Sequence, residues 1–479
     1  MNAAELRIRA DAEMRSLLER LTHGIAMPGC SRDDPEDRGR PADGAPGTVA
    51  TASADPSPDA GDVLLARIVW SRLVEPGDSL AGGLLRALGP VTALEQLAAN
   101  ASAARVRDLV RERTGEEPAG PALRRGLERW RLRLDRAATL ADLQAGVERG
   151  MRVVTPEASD WPRAIGDLGD HAPPALWVRG DPALLGRAAL AVVGARACTS
   201  YGSHITAELT EAVCTLGATV VSGAAYGIDA TAHRAALALD SPTVAVLAGG
   251  ADVPYPRAHE SLLDRIAASG AVCSEMVPGS TPTRWRFLQR NRSIAALTRA
   301  TLVTEAGATS GSINTAGHAA ELGRGLAAVP GPVTSAASAG CHRLIRDYGA
   351  TLVTNGAELC EFLEQLDGPA FFAPEPGRPS AGPHDGERQP TGRAPDAGAA
   401  GPQDQSGTGG SARPPADHRR ALDALPLRGA RTALDVARRA GLTLAEAHAA
   451  LVELELLGTV ERREARGRAE TGWSLIRRG

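Results

Sequence analysis

Arg290-Asn291-Arg292 lies between a Trp/Phe patch and the apolar run IAAL, inside RWRFLQRNRSIAALTRATLVTEAGATSGSINTAGHAA. A guanidinium is a planar fork that matches phosphates and bases. An isolated arginine pair usually marks a solvated helix face or partners for nearby carboxylates. Here three further loops carry the same chemistry. VVGARACTSYG sets Gly194 for close backbone approach, Arg196 as a fork and Thr199 as a hydroxyl. Tyr201-Gly202 then opens a helix, whose N-terminus favours anions. VVSGAAYGIDATAH supplies the small residues Ser222, Gly223 and Gly227, with Asp229 read as a helix cap and His233 as a packed helix residue. VLAGGADVPYPRAHESLL projects Arg257 near a helix start, and Ser310-Gly311 opens another helix with amide donors. Together these residues point to an anion-binding site.

Other chemistries find less support. The dinucleotide fingerprint needs a third glycine at fixed spacing, and VVGARACTSYG lacks it. There are no paired carboxylates, no GK[ST] loop and no metal-ligand cluster, so no cofactor is expected. None of Cys30, Cys198, Cys214, Cys273, Cys341 and Cys360 forms a CxxC pair. Reduced thiols in a cytoplasmic protein are the expectation. No run has the length of a membrane span, and MNAAELRIRADAEMRSLLERL has no signal-peptide apolar core. Net charge is -4 over 479 residues, which excludes the strongly basic class that coats DNA non-specifically. An anion site must be a local patch, and its cations are arginines, because the chain contains no lysine.

The elements that must position these loops follow from periodicity. From Ala188 onward ALAVVG, ATVVSG, TVAVLAGG, AVCSE, ATLVTEA and LAAVPG alternate with helix-like stretches. Near-continuous apolar strands between helices predict an α/β domain with a parallel sheet covered on both faces. Ligands in such sheets sit outside the strands' carboxyl ends, where every loop above is placed. Five segments are expected. Residues 1–61 form a mostly disordered extension with a short amphipathic helix near its start. Residues 62–150 are helical, with LLRALGP as a hairpin broken at Gly89-Pro90, read as bundle structure ahead of a DNA contact. Residues 151–366 carry the sheet. Residues 367–416 are a Pro/Gly-rich disordered linker. Residues 417–479 show three helical patterns and a strand pair, the order of a winged helix. Its third helix carries Glu446, Glu453 and Glu455, which favours protein contact or regulation over a DNA groove.

The motifs VVGARACTSYG, SGAAYGIDATAH, GGADVPYPRAHESLL, SEMVPG, FLQRNRSIAALT, TEAGATSGSINTAGHA and VPGPVTSAASAGCHRLIRDYGA occur in this order. Over about Met151 to Leu366 the chain resembles the DNA-processing protein A (DprA/Smf) family. The resemblance implies an extended Rossmann-like domain, a SAM/helix-hairpin-helix-like helical part and a winged helix. It implies a homodimer that binds single-stranded DNA and is not a catalyst. It also implies transfer of the strand to the RecA recombinase in natural transformation or recombination. Carried over by motif, Arg196 and Arg257 match basic pocket positions, and Arg290 and Arg292 match a basic loop. Tyr226 and His259 depart from frequent family residues, and neither change removes a cation. The competing reading is a nucleoside-phosphate hydrolase with Glu305 or Asp229 activating water. Limited proteolysis is expected to cut first between about residues 368 and 417 and to leave a stable central fragment. Protection of that stretch in the free protein would refute the linker reading.

Overall fold

The computed structural model describes residues 11–22, 59–367, 416–426, 429–464 and 471–476. Most of the expected extension and linker therefore lies outside the described residues. The main sheet has nine strands. These are β1 (Arg152–Val154), β2 (Leu176–Gly180), β3 (Ala189–Val193), β4 (Thr219–Ser222), β5 (Thr243–Leu247), β6 (Ala271–Ser274), β7 (Ala300–Val303), β8 (Gly325–Ala328) and β9 (Thr351–Leu352). Their spatial order is β1-β2-β6-β5-β4-β3-β7-β8-β9. From β6 to β9 all neighbours are parallel, with Ala191 opposite Val221 and Val192 opposite Leu302. β1 and β2 extend that sheet antiparallel, β2 pairing with β6. The residues of β3 to β7 are all buried, as expected where helices cover both faces of a sheet.

The winding places the site. The chain steps outward from β3 through β4 and β5 to β6, then returns to the other side of β3 as β7. The loops after β3 and β7 therefore leave in opposite directions and open a crevice, the usual ligand position of such sheets. Between β6 and β7 runs the helix Arg284–Ala296, which carries the RNR stretch.

Six helices from Ala60 to Glu148 pack beside the sheet. The expected hairpin is present: Gly89 takes φ 76°, which favours glycine, and Pro90 starts the next helix. Trp70 and Trp130 meet edge to face at 5.3 Å, and Trp70 Nε1 donates to Pro90 O at 3.1 Å. Their apolar core runs on into the sheet unit through Trp177, whose Nε1 donates to Ser71 Oγ at 3.3 Å. The helix Ala12–Thr22 buries Met14, Leu17, Leu18 and Leu21 in the same core.

The described C-terminal residues form a winged helix. Helices Ala416–Ala424, Ala433–Ala440 and Leu444–Leu456 pack on a three-stranded antiparallel sheet. Each glutamate of the third helix has a partner inside this unit. Glu446 completes a capping box with Thr443, Glu453 meets His418 at 2.6 Å, and Glu455 meets Arg462 at 2.9 Å.

One buried cluster joins these units. Glu75 accepts from Arg286 Nε and Nη2 at 2.9 and 2.8 Å and from Arg133 Nη2 at 2.5 Å. Arg133 Nε also donates to Arg438 O of the winged helix at 2.6 Å. Burial pushes the Glu75 carboxyl up, but Arg286 and Arg133 outweigh it and hold it far below the usual range. Glu75→Ala should cost about 3–5 kcal/mol by leaving two buried guanidiniums without a counter-ion. Denaturant unfolding checks this, and a loss well under 1 kcal/mol would show that the cluster is not a brace.

Candidate nucleic-acid interface

A cleft of about 440 Å³ opens at the switch point between the β3 and β7 loops. Its walls bring together Gly194, Arg196, Arg290, Asn291, Ser310 and Gly311 of the expected set. Gly194 is needed for the approach, because a methyl group there would meet Ile228 and the Glu305 carbonyl at 2.5–2.8 Å. Across the same contact Ala195 N donates to Glu305 O at 2.7 Å, closing the cleft floor.

Arg196 is exposed, and its guanidinium lies 5.2 Å from the Phe287 ring centroid. It makes no hydrogen bond or ion pair among the described residues, so its donors face solvent at the mouth. Phe287 in turn lies 5.1 Å from Tyr255, and Tyr226 packs on His259 at 4.9 Å. Tyr226 and Tyr255 are each about half exposed. These rings are the part that sequence reading missed. The available signal was Phe287 three residues before Arg290 on one helix, in a chain with only 3% aromatics.

The RNR stretch divides its labour. Arg290 is buried; its Nη1 donates to Gly223 O at 2.8 Å and to Val246 O, tying the ends of β4 and β5. Gly223 makes room, since a methyl there would stand 2.5 Å from the guanidinium. Burial pulls the Arg290 pKa down to about 10, while Asp229 opposes the shift. Asn291 Nδ2 donates to Asn314 Oδ1 at 3.1 Å, joining this helix to Gly311–Glu321. Arg292 turns away from the cleft and pairs with Glu275 at 2.5 Å. Residues two apart on a helix do not face each other, so one cleft could not receive both arginines.

The other expected residues lie outside the cleft lining. Thr199 caps the helix Ser200–Thr215, and its N and Oγ1 donate to Glu305 at 2.8 and 2.9 Å. A methyl at Gly202 would collide with that carboxylate. The helix N-terminus read as an anion site thus already holds an anion, Glu305. Tyr201 donates its hydroxyl to Pro330 O at 2.9 Å, and Ser222 Oγ donates to Val192 O at 2.6 Å. Gly227, at φ 77°, packs against the backbone of Ala195 and Arg196. Arg257 is exposed at the start of a short 3-10 turn. His233 is a packed residue as read, bonded through Nδ1 to Thr243 Oγ1 at 2.8 Å, with burial pulling its pKa to about 3.

Both candidate bases of the hydrolase reading are engaged, Asp229 through Oδ2 alone. Glu305 spends both oxygens on Thr199. Asp229 accepts from Gly223 N and Ala225 N at 3.2 and 3.3 Å; burial raises its pKa and Arg290 opposes. Asp229 therefore holds the β4 loop rather than capping its helix. Among the described residues no group of three or more His, Cys, Asp or Glu could hold a metal. Nor is any described helix long and apolar enough to cross a membrane.

Fold and site define a Rossmann-like protein with an arginine at the mouth of its switch-point cleft. Residues 152–364 match the family described as DNA recombination-mediator protein A. A putative DNA processing protein DprA of Mycobacterium tuberculosis is 40% identical over 422 residues, covering 85% of this chain and 93% of the relative. DprA of Streptococcus pneumoniae is 41% identical over 203 residues, 42% of this chain and 71% of that protein. The X-ray structure of DprA from Streptococcus pneumoniae superposes with a TM-score of 0.51 at 29% identity, covering 62% of this chain and 96% of that one. The chain belongs to the DprA/Smf family, and its role lies in DNA processing and recombination.

The geometry separates the two cleft arginines experimentally. Arg290→Ala should destabilise by about 1–3 kcal/mol, since it takes the donor from the buried Gly223 and Val246 carbonyls. Arg196→Ala should stay within about 0.5 kcal/mol of the parent, as exposed sites do. Equal losses in thermal or denaturant unfolding would contradict this assignment.

Proposed function

We propose that the chain binds single-stranded DNA in the switch-point cleft and is a carrier of that strand, not a catalyst. The observation that carries the reading is the exposed Arg196 guanidinium held over Phe287 at the cleft mouth. A strand on this surface meets Arg196 through a phosphate and lays its bases on the exposed rings of Tyr255 and Tyr226 and on the partly exposed ring of Phe287. Stacking of this kind tolerates any base, because every base has a π-face. The Gly311 amide begins a helix on the opposite wall and suits a second phosphate, while the Ser310 amide is held by Gly307 O at 3.1 Å. Arg257 continues the positive surface outward. A local basic cleft on a chain of net charge -4 concentrates binding at one place. The family resemblance supports the further steps: a cytoplasmic homodimer that protects the strand and passes it to RecA.

Salt titration of oligonucleotide binding tests the reading. Arg196→Ala should flatten the log-log salt slope by roughly 0.7, the value for one phosphate on a single strand. Phe287→Ala should lose about 1–3 kcal/mol, one stacked base. An unchanged slope in folded Arg196→Ala would place the strand elsewhere. Incubation with nucleoside phosphates should release neither phosphate nor base, and release of either would restore the hydrolase. RecA assembly on a strand preloaded with the protein checks the last step: no gain over the bare strand would remove it.

A further inference from the structure

A second and larger cleft, of about 1110 Å³, opens where the helical unit, the carboxyl end of β6 and the winged helix meet. Eight arginines and three aspartates line it. A helix dipole accounts for cations at one helix end. It does not gather them around one cavity from the end of Gly120–Arg133, the start of Arg136–Glu148, the strand Arg431–Thr432 and the last turn of Ala433–Ala440. Half of these arginines are neutralised by carboxylates: Arg133 and Arg286 share Glu75, Arg72 pairs with Asp142, and Arg136 pairs with Asp11.

The remainder are not. Arg438 and Arg439 are exposed and make no side-chain hydrogen bond or ion pair among the described residues. Arg431 spends one donor on Ala424 O at 2.5 Å, and burial, then the charge of Arg439, lowers its pKa. Arg131 keeps a buried Nε without a partner. Two of the three aspartates are already turned to backbone amides, Asp423 to Arg284 N at 2.9 Å and Asp135 to Ala138 N at 3.2 Å. Outside the ion pairs the lining thus sets four arginines against three aspartates, the third being Asp435, and keeps an excess of positive charge.

We propose that this junction cleft is a second binding site for the phosphodiester backbone of single-stranded DNA, with Arg438 and Arg439 of the winged helix as its phosphate contacts. The inference rests on the reading of the chain as a single-strand binder. The two clefts share the helix Arg284–Ala296: Thr283 and Arg286 line the junction cleft, while Phe287, Arg290 and Asn291 line the first. Neighbouring turns of one helix lie about 5.4 Å apart, so one strand crossing that helix reaches both. The winged helix then touches DNA with its second helix, and the acidic third helix stays out of contact.

The test compares full-length Arg438→Ala/Arg439→Ala with Arg196→Ala. The probe is labelled oligodeoxythymidylate of about thirty nucleotides, roughly 100 Å at about 3.4 Å each. The double variant should melt like the parent, since neither side chain has a partner to lose. Its salt slope should flatten by about 1.4, the loss of two phosphates. Arg438→Lys/Arg439→Lys should keep the parental slope. An unchanged slope in the double alanine variant overturns the junction site, and if Arg196→Ala still flattens its slope, the switch-point cleft stands alone. A slope that responds to the pair and not to Arg196 supports the junction site and removes the first. A lysine pair that loses the slope while folded also overturns the proposal, because charge would then not be what matters.

Discussion

Glu75 between Arg133 and Arg286 is the constraint on which the arrangement turns. A buried carboxylate with two guanidiniums gains little net stability over an apolar packing of the same shape, but removing any member is costly. Its value is geometric. Arg286 precedes Phe287, so clamping its side chain sets the helix that presents the ring to Arg196. Further along, Arg292 and Ser293 grip Glu275 from the same helix. Two buried carboxylates, one from the helical unit and one after β6, thus hold one helix at separate turns. A ligand surface held this way loses little freedom when it binds.

The sheet edge is organised on the same plan. Arg290, Asp229 and Glu305 are buried charges that tie loops to one another: Arg290 joins the ends of β4 and β5, Asp229 gathers the β4 loop, and Glu305 holds the β3 loop to β7. Buried ionic groups hold the position and exposed ones remain to meet a ligand. Arg196, over the Phe287 ring, makes no hydrogen bond or ion pair among the described residues.

The alternation of apolar strands and helices, the Gly89-Pro90 hairpin and the winged-helix order were all legible, because local periodicity and turn chemistry determine them. So was the sheet edge that carries the loops. The roles of the individual arginines were not. Arg290 and Arg292 look alike in RNR, and only the helix phase together with Glu275 and Gly223 O, distant in sequence, tells them apart. Thr199 and Gly202 read as phosphate binders because nothing local reveals that Glu305, over a hundred residues on, supplies the anion. The glutamates of the winged helix's third helix were visible, but their partners His418 and Arg462 were not. Nor does a count of arginines show the junction cleft, which exists only once three segments of the chain are packed together.

That both clefts are lined with arginine, in a chain without a single lysine, bears on regulation as well as on recognition. An ammonium can be silenced by acetylation, which removes its charge and its donor at once. No side chain here offers that handle. A guanidinium also keeps its proton across the whole physiological pH range. Neither acyl-transfer chemistry on lysine nor a swing in cellular pH can therefore discharge these surfaces. On the proposed reading, control over what they hold falls to ionic strength, to competition among anions and to the placement of the winged helix against its neighbours.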